Sequence, residues 1–202
     1  VGSEMCIRDR ANTNLTYSTV SGSNNYDGVR ATMAIPTTGK WYWEVTFGAT
    51  GYASGIGVAS SEYTILISST INKLKIWSGG SYAGAPKYHT DSLTGSSWAG
   101  ASNPSSGDVY MVAVDMDNGT MWIGKNGTWF NTSGTANPAT NTDPRWSDLA
   151  GLTLYPYLTE SIGPPIATKH INFGQRPFTY TPPTGFVALN TYNLANPSLP
   201  LV

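Results

Sequence analysis

The sequence predicts an all-β protein folded as a two-sheet antiparallel β-sandwich. Charged residues make up only 11% of the 202 residues, against about 25% in an average globular domain. Gly (22) and Pro (13) are abundant, which favours turns over helices. Roughly a dozen short segments with strand-like composition are separated by turn signals, and no segment has helical periodicity. This combination is typical of a sandwich built from short strands.

The most regular stretch is a predicted three-stranded meander at 108–130. Apolar residues recur at every second position from Tyr110 to Met116, while Met111, Ala113, Asp115 and Asp117 share the opposite parity. Strict alternation is typical of a strand with one face on a core and one face in solvent. We therefore expect the second set, including both aspartates, to face solvent. Two dipeptides predict two-residue hairpin turns: Asn118-Gly119 and Asn126-Gly127.

The remaining predicted strands flank this meander. In chain order they are 15–20, 29–35, 40–47, 55–59, 63–68, 73–77, 152–158 and 169–173. Segment 40–47 is the strongest, because four large apolar side chains share one face: Trp41, Trp43, Val45 and Phe47. Glycines in 55–59 indicate close backbone approach or a bulge, and Pro156 predicts an edge or bulged strand.

The two ends differ from the rest of the chain. Residues 1–10 contain four charged residues and the single cysteine, Cys6, and they lack the apolar region of a signal peptide. They resemble a translated adapter or assembly artefact of the kind met in environmental gene collections. We expect one domain at 11–188, followed at 189–202 by a linker toward a missing C-terminal part.

Charge and composition exclude several function classes. The net charge is −1 and no Lys/Arg cluster is present, so we expect no nucleic-acid binding. No apolar run reaches the ~18–20 residues of a membrane-spanning helix. One cysteine cannot form an intrachain disulfide or a multi-cysteine zinc site. We expect no cofactor, and the localisation is left open.

Candidate catalytic residues are sparse. Glu44 lies in a strand, but a sandwich glycosidase needs a second acid on the same strand face, where Thr46 and Gly48 stand instead. The two histidines, His89 and His170, have no nucleophile motif beside them. We expect His170 to face away from the core and His89 to lie in a loop. The sequence therefore predicts no catalytic residues, with a sandwich glycosidase as the least favoured alternative.

A metal site is not predicted either. Asp115, Asp117 and Asn118 superficially resemble the start of a calcium loop. Such a loop needs a bidentate acid at its twelfth position and a helical context. The twelfth position here is Asn126, and the context is a predicted hairpin.

Six segments together resemble the SPRY domain. They occur in the expected order and cover about residues 11–190: VRATM at 29–33, GKWYWEV at 39–45, GIGVA at 55–59, GDVYMVAVDMDNGTMWIGKNG at 107–127, LYPYLT at 154–159 and INFGQRPFTYTPPTGF at 171–186. The resemblance implies a concanavalin A-like β-sandwich that serves as a non-catalytic protein-interaction module. The Ser/Thr/Asn/Gly-rich composition further resembles SPRY segments inside long structural proteins of marine bacteriophages. It implies a virion setting, with another protein or a host-surface ligand as the partner.

Aromatic residues of the loosely patterned middle region are the ligand-binding candidates. They are Tyr63, Trp77, Tyr82, Tyr88 and Trp98. Loop aromatics on a rigid sandwich provide contact area at low entropic cost. The alternative is that they cap the core. A lectin-like glycan site is a second hypothesis, for which Trp98, Tyr82, Asn72 and Asp91 would supply stacking and polar contacts.

Overall fold

The computed structural model describes residues 16–18, 26–49, 54–60, 74–79, 86–90, 96–131, 133–161 and 167–194. The strands in these ranges are β1 (Thr16–Ser18), β2 (Tyr26–Arg30), β3 (Lys40–Ala49), β4 (Ser54–Ser60), β5 (Leu74–Gly79), β6 (Lys87–Thr90), β7 (Ser96–Ser97), β8 (Val109–Asp115), β9 (Thr120–Lys125), β10 (Thr128–Trp129), β11 (Leu154–Ser161), β12 (Thr168–Asn172) and β13 (Val187–Ala188). Two short 3₁₀ turns, Pro138–Thr140 and Thr191–Asn193, complete the regular elements of these ranges. The strand predicted at 63–68 lies outside the described residues.

The strands form two sheets. The first has the order β1-β12-β3-β8-β9-β10, and the second has the order β2-β11-β4-β5-β6-β7. Neighbours within both orders are antiparallel. β13 adds one parallel pairing to the start of β3, on the side where β12 has already ended. The predicted all-β, two-sheet antiparallel sandwich is confirmed.

Large apolar side chains from both sheets fill the space between them. In β3, the predicted apolar face is buried, and Trp43, Val45 and Phe47 are all 0% exposed. Ile56 and Val58 of β4 meet them from the second sheet in the same cluster. The period-two alternation of these strands therefore determines the inner core, as the sequence indicated.

Two residues that usually disturb strands lie inside the second sheet. A Cβ on Gly57 would lie 2.0 Å from the Lys75 carbonyl oxygen, which confirms the close approach predicted for 55–59. The edge or bulge predicted from Pro156 is wrong, because β11 pairs continuously with β4 and also pairs with β2. The Pro156 carbonyl accepts from Ala31 N at 2.9 Å, just past the end of β2. The N–H that a proline lacks would also point to the β2 side, so no hydrogen bond between β11 and β4 is lost.

The outer face of the first sheet is buried as well, so the solvent-facing side predicted for β8 is wrong. Met111 and Ala113 are 2% and 0% exposed, and they pack with Tyr42 and Trp122. Phe186 and the partly buried Phe178 cover this cluster. We call their segment, residues 173–186, the C-terminal strap. Alternation shows which residues share a face, but it does not show that a distant segment covers it.

Glu44 fixes the C-terminal strap on the sheet. Its carboxylate is 1% exposed and accepts from Thr179 N at 2.9 Å and from Tyr180 N at 2.8 Å. Tyr42 Oη also donates to it at 3.0 Å, and the Tyr42 ring meets the Phe178 ring edge-on at 4.9 Å. Burial, followed by the nearby Glu44 charge, raises the pKa of Tyr42 far above its usual value. The phenol therefore remains a donor, and Glu44 is structural.

One of the two predicted two-residue turns is confirmed. Asn126 and Gly127 have φ values of 50° and 84°, the sign that a tight hairpin turn of this type requires. The prediction at Asn118-Gly119 is wrong, because a four-residue loop at 116–119 joins β8 to β9. Asp115 closes this longer loop by accepting a hydrogen bond from Asn118 N at 3.1 Å.

A buried lysine lies toward each end of the sandwich. Lys169 Nζ is 3.1 Å from Glu160 Oε1, and both side chains are 0% exposed. Ser54 Oγ donates to Glu160 Oε2 at 2.7 Å. Lys75, also 0% exposed, reaches Asp148 at 2.6 Å near the opposite end. Burial raises the pKa of Glu160 and lowers the pKa of Lys169, while the attraction between the two groups opposes both shifts.

Ordered structure continues past the predicted domain end at Ala188. Leu189 is 1% exposed and its N–H donates to the Tyr42 carbonyl at 3.1 Å. Asn190 Nδ2 donates to the Phe173 carbonyl at 3.0 Å. The first residues of the predicted linker thus belong to the packed domain, whereas 1–10 and 195–202 lie outside the described residues.

We predict strong energetic coupling between Lys169 and Glu160. Lys169→Met should lower the free energy of unfolding by about 3–5 kcal/mol, because it leaves a buried carboxylate unpaired. Adding Glu160→Leu should recover most of that loss. Urea denaturation of both single variants and the double variant measures the coupling. Additive losses would show that the pair contributes no interaction of its own.

We predict that Glu44→Gln loosens the C-terminal strap. A glutamine amide cannot accept from both strap amides, and one unsatisfied buried donor costs about 1–3 kcal/mol. Amide hydrogen exchange at Thr179 and Tyr180 should accelerate. Tyr42→Phe is the matched control, because it removes one bond to the same carboxylate and leaves both amides paired. Unchanged exchange in Glu44→Gln would contradict this role.

Candidate functional site

Three of the five candidate aromatics converge in one cluster. β5 and β6 pair so that Trp77 lies opposite Tyr88. The Tyr88 ring meets the Trp98 ring edge-on at 6.2 Å between centroids. The other two candidates, Tyr63 and Tyr82, lie outside the described residues.

Trp77 and Trp98 belong to the core, so the prediction that they lie on a recognition surface is wrong. They are 0% and 3% exposed. Trp77 stacks at a tilt against Tyr110 at 4.6 Å, and Trp98 packs edge-on against Phe130 at 5.6 Å and Trp146 at 5.5 Å. Alternation in β5 directs Trp77 inward with the core face. The alternative, that these aromatics build the core, applies to both.

The burial of Trp98 also affects the glycan hypothesis. A sugar stacks on an exposed ring face, which Trp98 does not offer. The other residues considered for that site, Tyr82, Asn72 and Asp91, lie outside the described residues. The described part of the chain therefore contains no support for a lectin-like platform at these positions.

Tyr88 differs from the two tryptophans, because it is only partly buried and carries an arginine on its ring. The Arg145 Cζ lies 3.5 Å from the Tyr88 ring centroid and 5.5 Å from the Trp98 centroid. A guanidinium this close to a ring is held by cation–π attraction. Arg145 is a site residue that the sequence analysis missed. Its only sequence signal is a cation beside a tryptophan in the otherwise polar stretch 132–148.

Trp146 fixes the main chain next to Arg145 between the two sheets. Its backbone pairs with Met121 of β9, and Arg145 N also donates to the Met121 carbonyl at 3.0 Å. Its indole Nε1 donates to Thr90 Oγ1 at 2.9 Å and to the His89 carbonyl at 3.2 Å in β6. This bridge between the sheets places the Arg145 side chain over Tyr88.

Arg145 differs from five of the other described cations in its hydrogen bonding. Acceptors are present for five others: Asp115 for Lys40, Asp148 for Lys75, Asp108 for Lys125, Glu160 for Lys169 and the Ser60 carbonyl for Arg30. Within the described ranges the guanidinium of Arg145 has no acceptor, and its Nε is buried without a hydrogen bond. The indole Nε1 of the adjacent Trp98 is likewise buried without one. The arrangement therefore presents donors and a positive charge that lack a counterpart.

The histidines make local contacts. Thr16 Oγ1 and His170 Nδ1 are 3.0 Å apart, and His170 alternates with the core residue Ile171, as predicted. His89 lies in β6 rather than in a loop, and its Nε2 is 2.7 Å from Ser78 Oγ. Ser78 occupies regular β5, without the strained turn that exposes a nucleophilic serine in hydrolases. This serine–histidine contact therefore joins the neighbouring strands β5 and β6.

Asp115 is buried, contrary to the prediction that it faces solvent. It is 0% exposed, accepts from Asn118 Nδ2 at 2.8 Å and lies 3.1 Å from Lys40 Nζ. Burial alone would raise its pKa, but the hydrogen bonds from Asn118 and Lys40 outweigh burial and lower it. The carboxylate is thus surrounded by donors. No group of three or more His, Cys, Asp or Glu that could hold a metal ion occurs in the described ranges.

Comparison with solved structures identifies the fold. The SPRY domain of human HERC1 matches with a TM-score of 0.56 and 18% sequence identity, over 84% of this chain and 99% of that chain. Another human SPRY domain matches with a TM-score of 0.59 and 12% identity, over 84% and 99% of the respective chains. The chain has the fold of a SPRY domain. The resemblance based on the sequence is confirmed at the level of the fold.

No protein-family model matches the sequence, and no curated protein matches it. The bacteriophage setting stays a prediction. In the described ranges, no helix has both the length and the apolarity needed to cross a membrane.

We predict a pH-dependent contribution of Asp115 to stability. Because its pKa is lowered in the folded state, its stabilising effect is complete above the unfolded value of about 3.9 and is lost as the pH falls through the folded value. Asp115→Asn should therefore be less stable than the parent at pH 7, and the difference should narrow below about pH 4. Urea midpoints across this range measure it.

Lys40→Gln is the matched variant for this experiment. It removes one of the groups that lower the Asp115 pKa, so it should reduce the loss caused by Asp115→Asn. If the stability difference between the parent and Asp115→Asn stays constant with pH, Asp115 is not the titrating group assigned here.

Proposed function

We propose that this domain is a non-catalytic protein-binding module within a larger virion structural protein, and that it binds its partner at the Arg145 surface. We define this surface as Tyr88, Thr90, Ser96 and Arg145. The observation that carries the proposal is the Arg145 guanidinium, fixed on the Tyr88 ring without an acceptor. A rigid cation with unused donors favours binding over a purely structural role.

The rim of this surface suits a protein partner. Thr90 and Ser96 are exposed, and Ser96 pairs with Tyr88 across β6 and β7. β7 is the last strand of the second sheet in the described part of the chain. An edge strand has backbone donors and acceptors that an extended peptide can pair with.

Fold and composition support the remaining parts of the proposal. The SPRY-type sandwich is the fold that the sequence resemblance connects with protein interaction. The virion setting, with another protein or a host-surface ligand as partner, rests on the Ser/Thr/Asn/Gly-rich resemblance to phage structural proteins. A protein partner is favoured over a glycan because the ring of Trp98 is buried.

Panning a random linear peptide library on the whole chain tests the proposal. We expect an enriched sequence family whose affinity falls roughly tenfold or more, equivalent to 1.4 kcal/mol, in Arg145→Ala. A photoreactive residue at Ser96 should crosslink to these peptides. The same residue at Thr184, which is exposed in the C-terminal strap, is the control. No enriched family, or crosslinking only at Thr184, would overturn the proposal.

A further inference from the structure

We propose that Arg145 recognises a carboxylate, from an aspartate or glutamate side chain of a partner protein. This inference rests on the proposed function and names the chemistry of the same surface. Arg145 is held firmly in the fold. Its backbone is bonded to β9 of the first sheet, and the Trp146 bridge to β6 lies immediately beside it. The guanidinium is therefore placed before any ligand arrives.

Stacking leaves the edge of the guanidinium for hydrogen bonding. The Tyr88 ring, 3.5 Å from Cζ, covers one face of the planar group. The donors of a guanidinium point outward in its own plane, so a ring on one face does not occupy them. Nε itself is buried, so a partner reaches the two terminal Nη groups from the side while the ring holds their orientation.

The described residues provide no acceptor for the Arg145 guanidinium. A partly buried donor without an acceptor costs about 1–3 kcal/mol, and such groups in a folded protein call for an explanation. Arg145 Nε and Trp98 Nε1 are both in this condition, and they belong to neighbouring side chains. Both are donors. Neither of these buried atoms is open to a ligand, but the Arg145 charge favours an anion at its terminal Nη atoms, which also have no acceptor in the described ranges.

The number of cations at the surface decides between kinds of anion. Lys87 of β6 is the nearest other cation in the sequence of these strands, but alternation places it on the opposite face from Tyr88. The surface thus has one described cation, which suits a singly charged carboxylate better than a doubly charged phosphate. A carboxylate also matches the planar fork of arginine with two parallel hydrogen bonds.

Two small probes test the charge requirement directly. N-acetyl-aspartate amide and N-acetyl-asparagine amide differ in one ionised group. In NMR titrations of the whole chain, the Arg145 Nε–H resonance should shift with the aspartate probe and stay in place with the asparagine probe. Equal shifts with both probes, no shift with either, or a larger shift with inorganic phosphate would overturn the inference.

Variants separate the guanidinium fork from its charge. Arg145→Lys keeps the charge and loses the fork, so the affinity of an enriched peptide should fall roughly tenfold. Replacing the peptide's acidic residue by its amide should weaken binding to the parent domain by more than it weakens binding to Arg145→Lys, which keeps the charge and lacks the fork. Arg176→Gln is the matched control, because Arg176 is an exposed arginine, and it should leave affinity unchanged. Urea midpoints show that each variant is folded.

The outcomes distinguish this inference from the proposed function. Enriched peptides that lack an acidic residue, or that bind equally well to Arg145→Lys, would leave the protein-binding module standing and overturn carboxylate recognition. A shift with the aspartate probe but no enriched peptide would support the anion site and overturn the protein-binding role.

Discussion

Glu44 accepts two backbone amides of the C-terminal strap, and burial of the outer face of the first sheet depends on this contact. A carboxylate with 1% exposure is stable in that place only because three donors surround it. The strap in turn covers Tyr42, Met111 and Ala113. The central strands β3 and β8 are consequently buried on both faces, which gives the sandwich a three-layered character on that side.

The second sheet meets the first through a continuous series of aromatic contacts. Trp77, Tyr110 and Phe130 form the middle of this series, and Trp98 links it to Trp146 at the side of the sandwich. Trp146 then hydrogen-bonds to β6. Aromatic packing and this hydrogen bond thus together join the two sheets along this side of the sandwich. Arg145 is placed on the outermost ring of the series, at the boundary between core and solvent.

The fold was predictable from the sequence, because its information is local. Alternation in 40–47 is enough to place Trp43 and Phe47 on one face, and the positive φ of Asn126 and Gly127 follows from their residue types. The missed contacts of Glu44, Lys75 and Arg145 depend on distant partners. Glu44 meets a segment 135 residues away, and the buried Lys75 meets Asp148, 73 residues away. Arg145 is bonded to the first sheet and Tyr88 belongs to the second, so no local pattern indicates their contact.

The position of Arg145 at the junction of the two sheets has a thermodynamic consequence. Its backbone is attached to the first sheet, whereas the ring beneath it belongs to the second. A ligand that contacts both would bind only the closed sandwich, and would shift the folding equilibrium toward that state by mass action. Substitutions deep in the aromatic core that let the sheets slide apart would then weaken recognition without touching the binding surface. With the proposed ligand, affinity and conformational stability would be linked in this domain through a single side chain.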